Sequence, residues 1–532
     1  MKKEHSIFTI IIFSLLFSYS LLGQEQYYLP GKVLDKQTNE PLVFVNIRIK
    51  DRALGIITNI DGSFRIPLKY KEYGDIIQIS SMGYETKEIS IVDFSQEVLN
   101  IIKLNPSAIS LQEAVVKAKV KGRRNLNAKQ IVQKALDAIS RNFPTTSFSN
   151  IGYYRDYQFK DGQYINLNES ILETFDQGFD QLDDYTSQTM LYNVVMNTDF
   201  EQDSLARSAY DYNSIRKIIK KAHLDAYGGN EYRILRIHDA IRNYNVMAYD
   251  FIGTLKTDLI KNHFFLRTKD TNIDNEELYA IKFWVYYPDY RANGTIYISK
   301  LDFAIYKLEY TMYDDKKKSD VPTNNKHGHR QKVIFDIATD YRKINNKMYL
   351  NYISFHNNFT VFMPPKFKVN WITIDKSRIG FLIEYNNQPI PEMAVDISNY
   401  DVEFNGKRVK IKKALRLKNT VVLYPLMENE KLSKMFIELS DADDKGEDLN
   451  TLLNIKIKDV RDLEGNLINK WTELEYQQFR EFFVQRVKPN NRAPFEGVFM
   501  NNKKPIFTAQ PTFPPKEFGD YWMNTPLNKN IN

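Results

Sequence analysis

Histidines are the first side chains to test for chemistry in this 532-residue chain, which carries seven of them, one being His5. A hydrolytic zinc site needs a His-x-x-Glu pair, a distant second His and a further Glu as base. The residues three beyond His223, His238, His263, His327, His329 and His356 are Ala226, Ile241, Leu266, Arg330, Lys332 and Phe359, so that arrangement is missing. His327-Gly328-His329 could bring two imidazoles to one ion, but it sits beside Pro322 and Asn324-Asn325 in a polar stretch, where a solvated turn is the simpler account. Asp441-Ala442-Asp443-Asp444-Lys445-Gly446 has part of a calcium-loop pattern, with Lys445 where an oxygen ligand is needed and Leu452 where the bidentate Glu should stand; it reads as an acidic loop. Glu169 and Glu173, close to Asp176, Asp180, Asp183 and Asp184, could serve as acid and base on a glycoside only at the right separation and burial, and read as a solvated acidic face. Gly-rich phosphate loops, nucleophile elbows and basic-aromatic nucleic-acid stripes do not occur. The expectation is a protein that is not an enzyme, with no catalytic residue, cofactor or metal and no nucleic acid as partner.

The residues with binding potential are aromatic. Trp284, Tyr286, Tyr297 and Tyr306 fall in a run of alternating strands, where they either fill a core or line the concave face of a sheet. The strands that must position them are Tyr279–Tyr287, with Pro288-Asp289 as turn, then Gly294–Ile298, Ala304–Tyr313, Lys332–Tyr341 and Met348–His356, with Asn345-Asn346 as a hairpin loop. Ahead of them Ile131, Val132, Ala135, Leu136 and Ile139 share one helical face before Pro144, and Asn213 caps a second predicted helix over Ser214–Ala222.

Composition sets the address. Met1-Lys2-Lys3, the apolar run Ile7–Leu22 and the small Gly23 read as a secretory signal peptide over 1–23, so the mature protein is expected to be exported, to the periplasm or the outer-membrane surface. Without cysteine there is neither a disulfide nor a lipidated anchor, and no later run is apolar enough for a spanning helix, so the mature chain is expected to be soluble or peripherally attached to a membrane. A net charge of +7 is spread among interspersed carboxylates and reads as a solvated surface, including the basic strand Val115–Arg124.

The stretch Gly31–Leu104 carries a family signal. Val43, Val45, Ile47 and Ile49 alternate, Asp61-Gly62 supplies the positive φ of a hairpin, Phe64 and Ile66 alternate inward, and Ile76, Ile77, Ile79, Ile89, Ile91, Val98, Ile101 and Leu104 close the sheet. In order and spacing this resembles the carboxypeptidase-regulatory-like domain, a transthyretin-like seven-stranded β-sandwich of Bacteroidetes-type envelope proteins. In relatives the same domain precedes a TonB-dependent plug and barrel, which implies a transport accessory as one role. The paired strands Gly294–Ile298 and Leu301–Leu308 are similar to those of the half-barrel of periplasmic lipoprotein carriers, which implies a lipid or other apolar ligand. Val460–Asn466 resembles the last hairpin of bacterial immunoglobulin-like modules.

The predicted fold is mainly β and multidomain: a sandwich over 28–120, a mixed α+β antiparallel sheet domain over 126–380, an immunoglobulin-like sandwich over 393–470 with strands at Val421–Tyr424 and Phe436–Leu439, and 472–532 as a helix and a Pro-rich aromatic tail. Thr472 and Glu475 have capping-box spacing, with Leu474, Phe479, Phe482, Phe483 and Val487 on the helix they would open. The tail is too aromatic for disorder and should pack along the body in extended form or dock on a partner. The expected function is a non-catalytic envelope binding or assembly protein, its partners other envelope proteins or an apolar or glycan ligand.

Overall fold

Gly31 sets the start of the first core. A Cβ there would lie 2.2 Å from the ring of Phe64, so only glycine lets that ring cross the strand. In the computed structural model, which describes residues 27–107, 126–207, 217–218, 227–247, 252–274, 276–318 and 331–527, this strand is β1 (Tyr28–Asp35). It lies between β4 (Ser63–Pro67) and β7 (Asn100–Leu104), antiparallel to the first and parallel to the second. A second sheet runs β3 (Leu54–Ile57), β2 (Asn46–Ile49), β5 (Ile76–Ser80), β6 (Lys87–Ser90). These seven strands form the expected sandwich, filled by Leu29, Val33, Val45, Ile47, Phe64, Ile77 and Ile79. In the Asp61-Gly62 turn only Gly62 takes a positive φ, 77°, while the Asp61 carboxylate accepts from the Ser63 amide at 3.0 Å.

The helix Ala128–Asp137 forms as predicted, with Asn127 and Gln130 closing a capping box and Ile131, Val132, Ala135 and Leu136 buried. It leads into a twelve-stranded sheet. The main path is β10 (Gln188–Met196), β9 (Gln163–Asp176), β8 (Phe148–Lys160), β26 (Thr472–Pro489), β18 (Lys347–Met363), β17 (Gln331–Ile344), β16 (Ile305–Lys318), β15 (Tyr290–Ser299), β14 (Glu276–Tyr286) and β12 (Phe264–Arg267). β11 (Lys217–Ile218) joins β18 and β13 (Thr271–Ile273) joins β14. The predicted meander from Tyr279 to His356 is present, and Asn345 and Asn346 both take positive φ in its hairpin.

Period two divides this sheet. Ile281, Phe283, Ile296, Leu308, Tyr310, Met312, Phe335 and Phe355 are buried on one face, where His238 of the helix-turn after Glu231–Ile237 stacks on Phe355. The other face carries Tyr153, Phe483 and Tyr352, which join the sandwich core in one cluster. The tail after β26 runs extended along this unit. Its Met500 and Phe513 amides donate to Thr189 and Leu191 of the edge strand β10, and Trp522 is buried between sandwich and sheet.

Residues Thr360–Leu474 form a separate compact unit. Its four-stranded sheet is β19 (Val369–Asp375), β20 (Gly380–Tyr385), β24 (Thr420–Pro425), β23 (Ile411–Leu417), so β19, read from sequence with the central domain, belongs here. Its three-stranded sheet is β22 (Lys407–Val409), β21 (Tyr400–Phe404), β25 (Leu453–Ile457). The helix Asn429–Asp444 supplies Met435, Leu439 and Ala442 to the core.

Four local expectations change among the described residues. Phe436–Leu439 is helical, because Met435, Leu439 and Ala442 recur at helical spacing and only that side is covered. Asp441–Gly446 is the end of that helix and its cap, not a loop. Thr472–Pro489 is a strand, its register set by Phe479 opposite Tyr157, Glu481 opposite Arg155 and Phe483 opposite Tyr153. Of the helix expected over Ser214–Ala222, the described part is the strand β11. The signal peptide, Val115–Arg124, His223 and the His327/His329 pair lie outside the described residues.

Candidate functional site

On β14, β15 and β16 the strands place apolar side chains into the helix-covered core, so the alternate positions face the sandwich side by geometry alone. Register aligns them in rows across the strands: Tyr286 with Arg291 and Tyr313; Trp284 with Asn293 and Thr311; Lys282 with Thr295 and Glu309; Ala280 with Tyr297 and Lys307. The last row continues to Asp340 on β17. Gly294, between Asn293 and Thr295, allows close packing beneath, since a Cβ there would stand 2.2 Å from the Glu309 carbonyl oxygen.

The sandwich meets this face at two places. Phe44 packs on Tyr352 with ring centroids 4.4 Å apart, and Asn46 and Arg48 engage Asn351 at 2.6 and 3.2 Å. Farther along, the Gly83 amide donates to the Asn272 carbonyl at 2.9 Å and Thr86 to Asp274 at 2.9 Å. Between these contacts the sandwich arches over the sheet and leaves a cleft of about 330 Å³. Val43, Phe44 and Ser81 form its roof, and Lys282, Thr295, Tyr297, Lys307 and Asp340 its floor. A second cleft, of about 320 Å³, adjoins it through Lys282 and Thr295 and is lined by Trp284, Tyr286, Arg291, Asn293, Glu309 and Thr311.

Charge in these clefts is mostly cationic. Lys307 is ion-paired with Glu309; burial pulls its ammonium down, but Glu309 outweighs that and raises it. Burial pushes the Asp340 carboxyl up to about 6, against the opposing pull of Lys307 and a hydrogen bond from Asn351 at 2.8 Å. Arg48 and Arg342 stand close to Asp340, each held below its ordinary value by burial. Arg291 lies over the Tyr313 ring, 5.2 Å from its centroid, and Lys269 and Lys282 have no ion-pair partner among the described residues.

The predicted aromatics separate. Trp284 and Tyr286 line the second cleft and Tyr297 the first. Trp284 stacks on Phe264, centroids 5.8 Å apart, and Tyr286 is 62% exposed, so neither fills a core. Tyr306 lines neither cleft. The register shifts beside Tyr297, leaving Tyr306 as the extra residue of a bulge, 7% exposed and near Lys343. Sequence reasoning missed Lys282, Arg291, Asn293, Thr295 and Glu309; their signal was the polar half of the same alternation that placed the aromatics.

Of the carboxylates read as a solvated face, Glu169, Glu173, Asp176 and Asp183 are buried, while Asp180 is exposed and Asp184 half-buried. Glu169 accepts from Tyr153 at 2.7 Å, Thr525 at 2.8 Å and Asn197 at 2.9 Å; Glu173 accepts from Ser149 and Tyr192. Asp176 and Asp183 pair with Arg236 and Arg242. Arg155 and Glu481, both without exposed side-chain surface, pair at 2.5 Å, with His356 3.6 Å from Glu481 and 3.5 Å from Asp336. Burial draws His238 and His263 each down to about 4. Among the described residues no group of three or more His, Cys, Asp or Glu is placed to hold a metal ion, and no helix is long and apolar enough to cross a membrane.

Residues 29–116 match the CarboxypepD_reg-like domain, in agreement with the resemblance read from Gly31–Leu104. The TonB-dependent receptor SusC of Bacteroides thetaiotaomicron is 27% identical over 150 residues, 28% of this chain but 14% of the receptor. Solved structures with local likeness include a LolA superfamily protein from Nitrosomonas europaea (12% identity, 44% of this chain, 86% of that one, TM-score 0.17). A DUF1329 family protein from Desulfovibrio piger (8%, 43% and 86%, TM-score 0.18) and MucB in complex with MucA (9%, 57% and 94%, TM-score 0.15) are similar to the same degree. TM-scores this low do not establish a common fold.

Proposed function

We propose that this chain, built on a CarboxypepD_reg-like domain, is an exported cell-envelope protein that binds a ligand without transforming it, in the cleft between sandwich and central sheet and the adjoining cleft on β14–β16. The observation that carries the reading is the arch: the sandwich touches the sheet on either side of β14–β16 and leaves amide, hydroxyl, charged and aromatic groups facing an open space. The buried carboxylates elsewhere have hydrogen-bond or ion-pair partners that suit structure better than acid-base work. Similarity to part of SusC supports an envelope setting, with service to TonB-dependent outer-membrane transport as a role for the same binder. An acyl carrier is the weaker reading, since a hydrocarbon chain here would lie against Lys282, Lys307 and Asp340.

Native mass spectrometry of the mature protein released gently from its own envelope tests the reading. A bound small molecule that is lost in a folded Trp284→Ala/Tyr286→Ala variant is the expected result. A bound mass indifferent to those changes would move the site elsewhere, and turnover of the bound compound would refute a non-catalytic role.

A further inference from the structure

Resting on that reading, we propose that the ligand is an acidic oligosaccharide, a glycan bearing carboxylates, laid along the rows of β14–β16. Three groups of side chains meet there in the pattern such a ligand requires. The half-buried Trp284 and the exposed Tyr286 line the cleft from one strand, two residues apart, where the apolar faces of sugar rings can stack. Asn293, Thr295 and Thr311, beside them in register, present amide and hydroxyl groups to sugar hydroxyls.

The third group sets the sign of the charge. Lys269, Lys282 and Lys307 line the clefts against two carboxylates, Asp340 and Glu309, and Glu309 is already engaged by Lys307. A neutral glycan would leave Lys269 and Lys282 without counter-charge, whereas a carboxylate suits the point charge of either lysine. Lys282 belongs to both clefts, so one chain of sugars could pass from the aromatic platform under the arch.

The test is calorimetric titration of the full mature protein with tetragalacturonate, its methyl ester, a tetramannuronate and neutral galactotetraose. The expected result is binding of at least one uronate tetramer, at least tenfold tighter than galactotetraose and the ester. It should weaken about tenfold in Lys269→Gln/Lys282→Gln and in 0.5 M salt, and stay unchanged in Lys412→Ala on the C-terminal unit. Circular dichroism of each variant confirms folding. Equal binding of neutral and acidic tetramers would overturn the anionic assignment while leaving the binding role standing. Binding of none of the four, with an envelope ligand still retained through Trp284, would overturn the inference alone. Absence of both would overturn the reading beneath it as well.

Discussion

Replacing Arg155 by Met should destabilise the larger unit by about 4 kcal/mol. The Arg155 Nε–Glu481 Oε2 contact is 2.5 Å and neither side chain has exposed surface, so the Arg155→Met variant would leave a carboxylate buried without its main counter-charge. Breaking a buried pair from one side costs about 3 to 5 kcal/mol. His356, 3.6 Å from Glu481, softens the loss, and its share puts the figure near the lower bound. Arg155 Nη1 also donates to Asn59 Oδ1 of the sandwich at 2.8 Å, and the loss of that bond adds roughly 1 kcal/mol. The double variant Arg155→Met/Glu481→Leu removes both charges and should recover at least about 2 kcal/mol relative to the single variant. Urea unfolding followed by fluorescence of Trp284 and the buried Trp522, both in the larger unit, reports the relevant transition in a background where Trp371 and Trp471 of the C-terminal unit are replaced by Phe. A single variant within about 1 kcal/mol of the parent, or a double variant no better than the single, would refute the assignment of this pair as a charge held in place by its partner.

Burial pulls the His356 imidazolium down, yet Asp336 and Glu481 outweigh it and hold the group up at about 9. A raised folded-state value stabilises fully below the unfolded value near 6.5 and is lost as pH climbs through 9, so the parent should lose about 3 kcal/mol across that window. His356→Gln should flatten that slope, and parallel curves of urea midpoint against pH for the two proteins would contradict it. Asn524 exchanges hydrogen bonds of 2.9 Å with the Arg65 amide and the Ile57 carbonyl and is fully buried, so Asn524→Ala should cost about 2 to 4 kcal/mol and speed limited proteolysis of the tail; an unchanged cleavage pattern counts against the tail as a strap. Gly31→Ala, which forces the Phe64 ring aside, should lower stability by about 1 to 3 kcal/mol and be relieved by Phe64→Leu; equal cost in both backgrounds would rule out that clash.

Sequence legibility follows how far apart in the chain the causes lie. The sandwich, the capped helix Ala128–Asp137 and the meander Glu276–Met363 are local: their alternation, caps and Asn-Asn turn sit within the elements themselves. Strand β26 misleads because both its faces are covered, Phe479 and Phe483 toward the sandwich and Phe482 against Tyr232 beneath, which erases period two and leaves residues that also satisfy a helix. Glu169 and Glu173 look solvated for a related reason. Their partners Thr525 and Asn491 come from the far end of the chain, and no local pattern announces them.

The same division of the sheet explains why binding and stability can be tuned apart. Where the sandwich sits directly on β8, β26 and β18, the outward row carries Tyr153, Arg155, Glu481, Phe483 and Tyr352, closed into a core with each charge paired. Where it arches clear of β14–β16, the equivalent row carries Lys282, Trp284, Asn293 and Thr311, facing open space over an unbroken apolar layer of Phe283, Ile296 and Tyr310. A substitution in the open row leaves that layer and its burial intact, so its stability cost should stay within about 1.5 kcal/mol, the Trp284–Phe264 stack included, while ligand retention changes. Comparable losses of stability from Trp284→Ala and Phe483→Ala would show that the arch is closed in solution and that the row is core along its whole length.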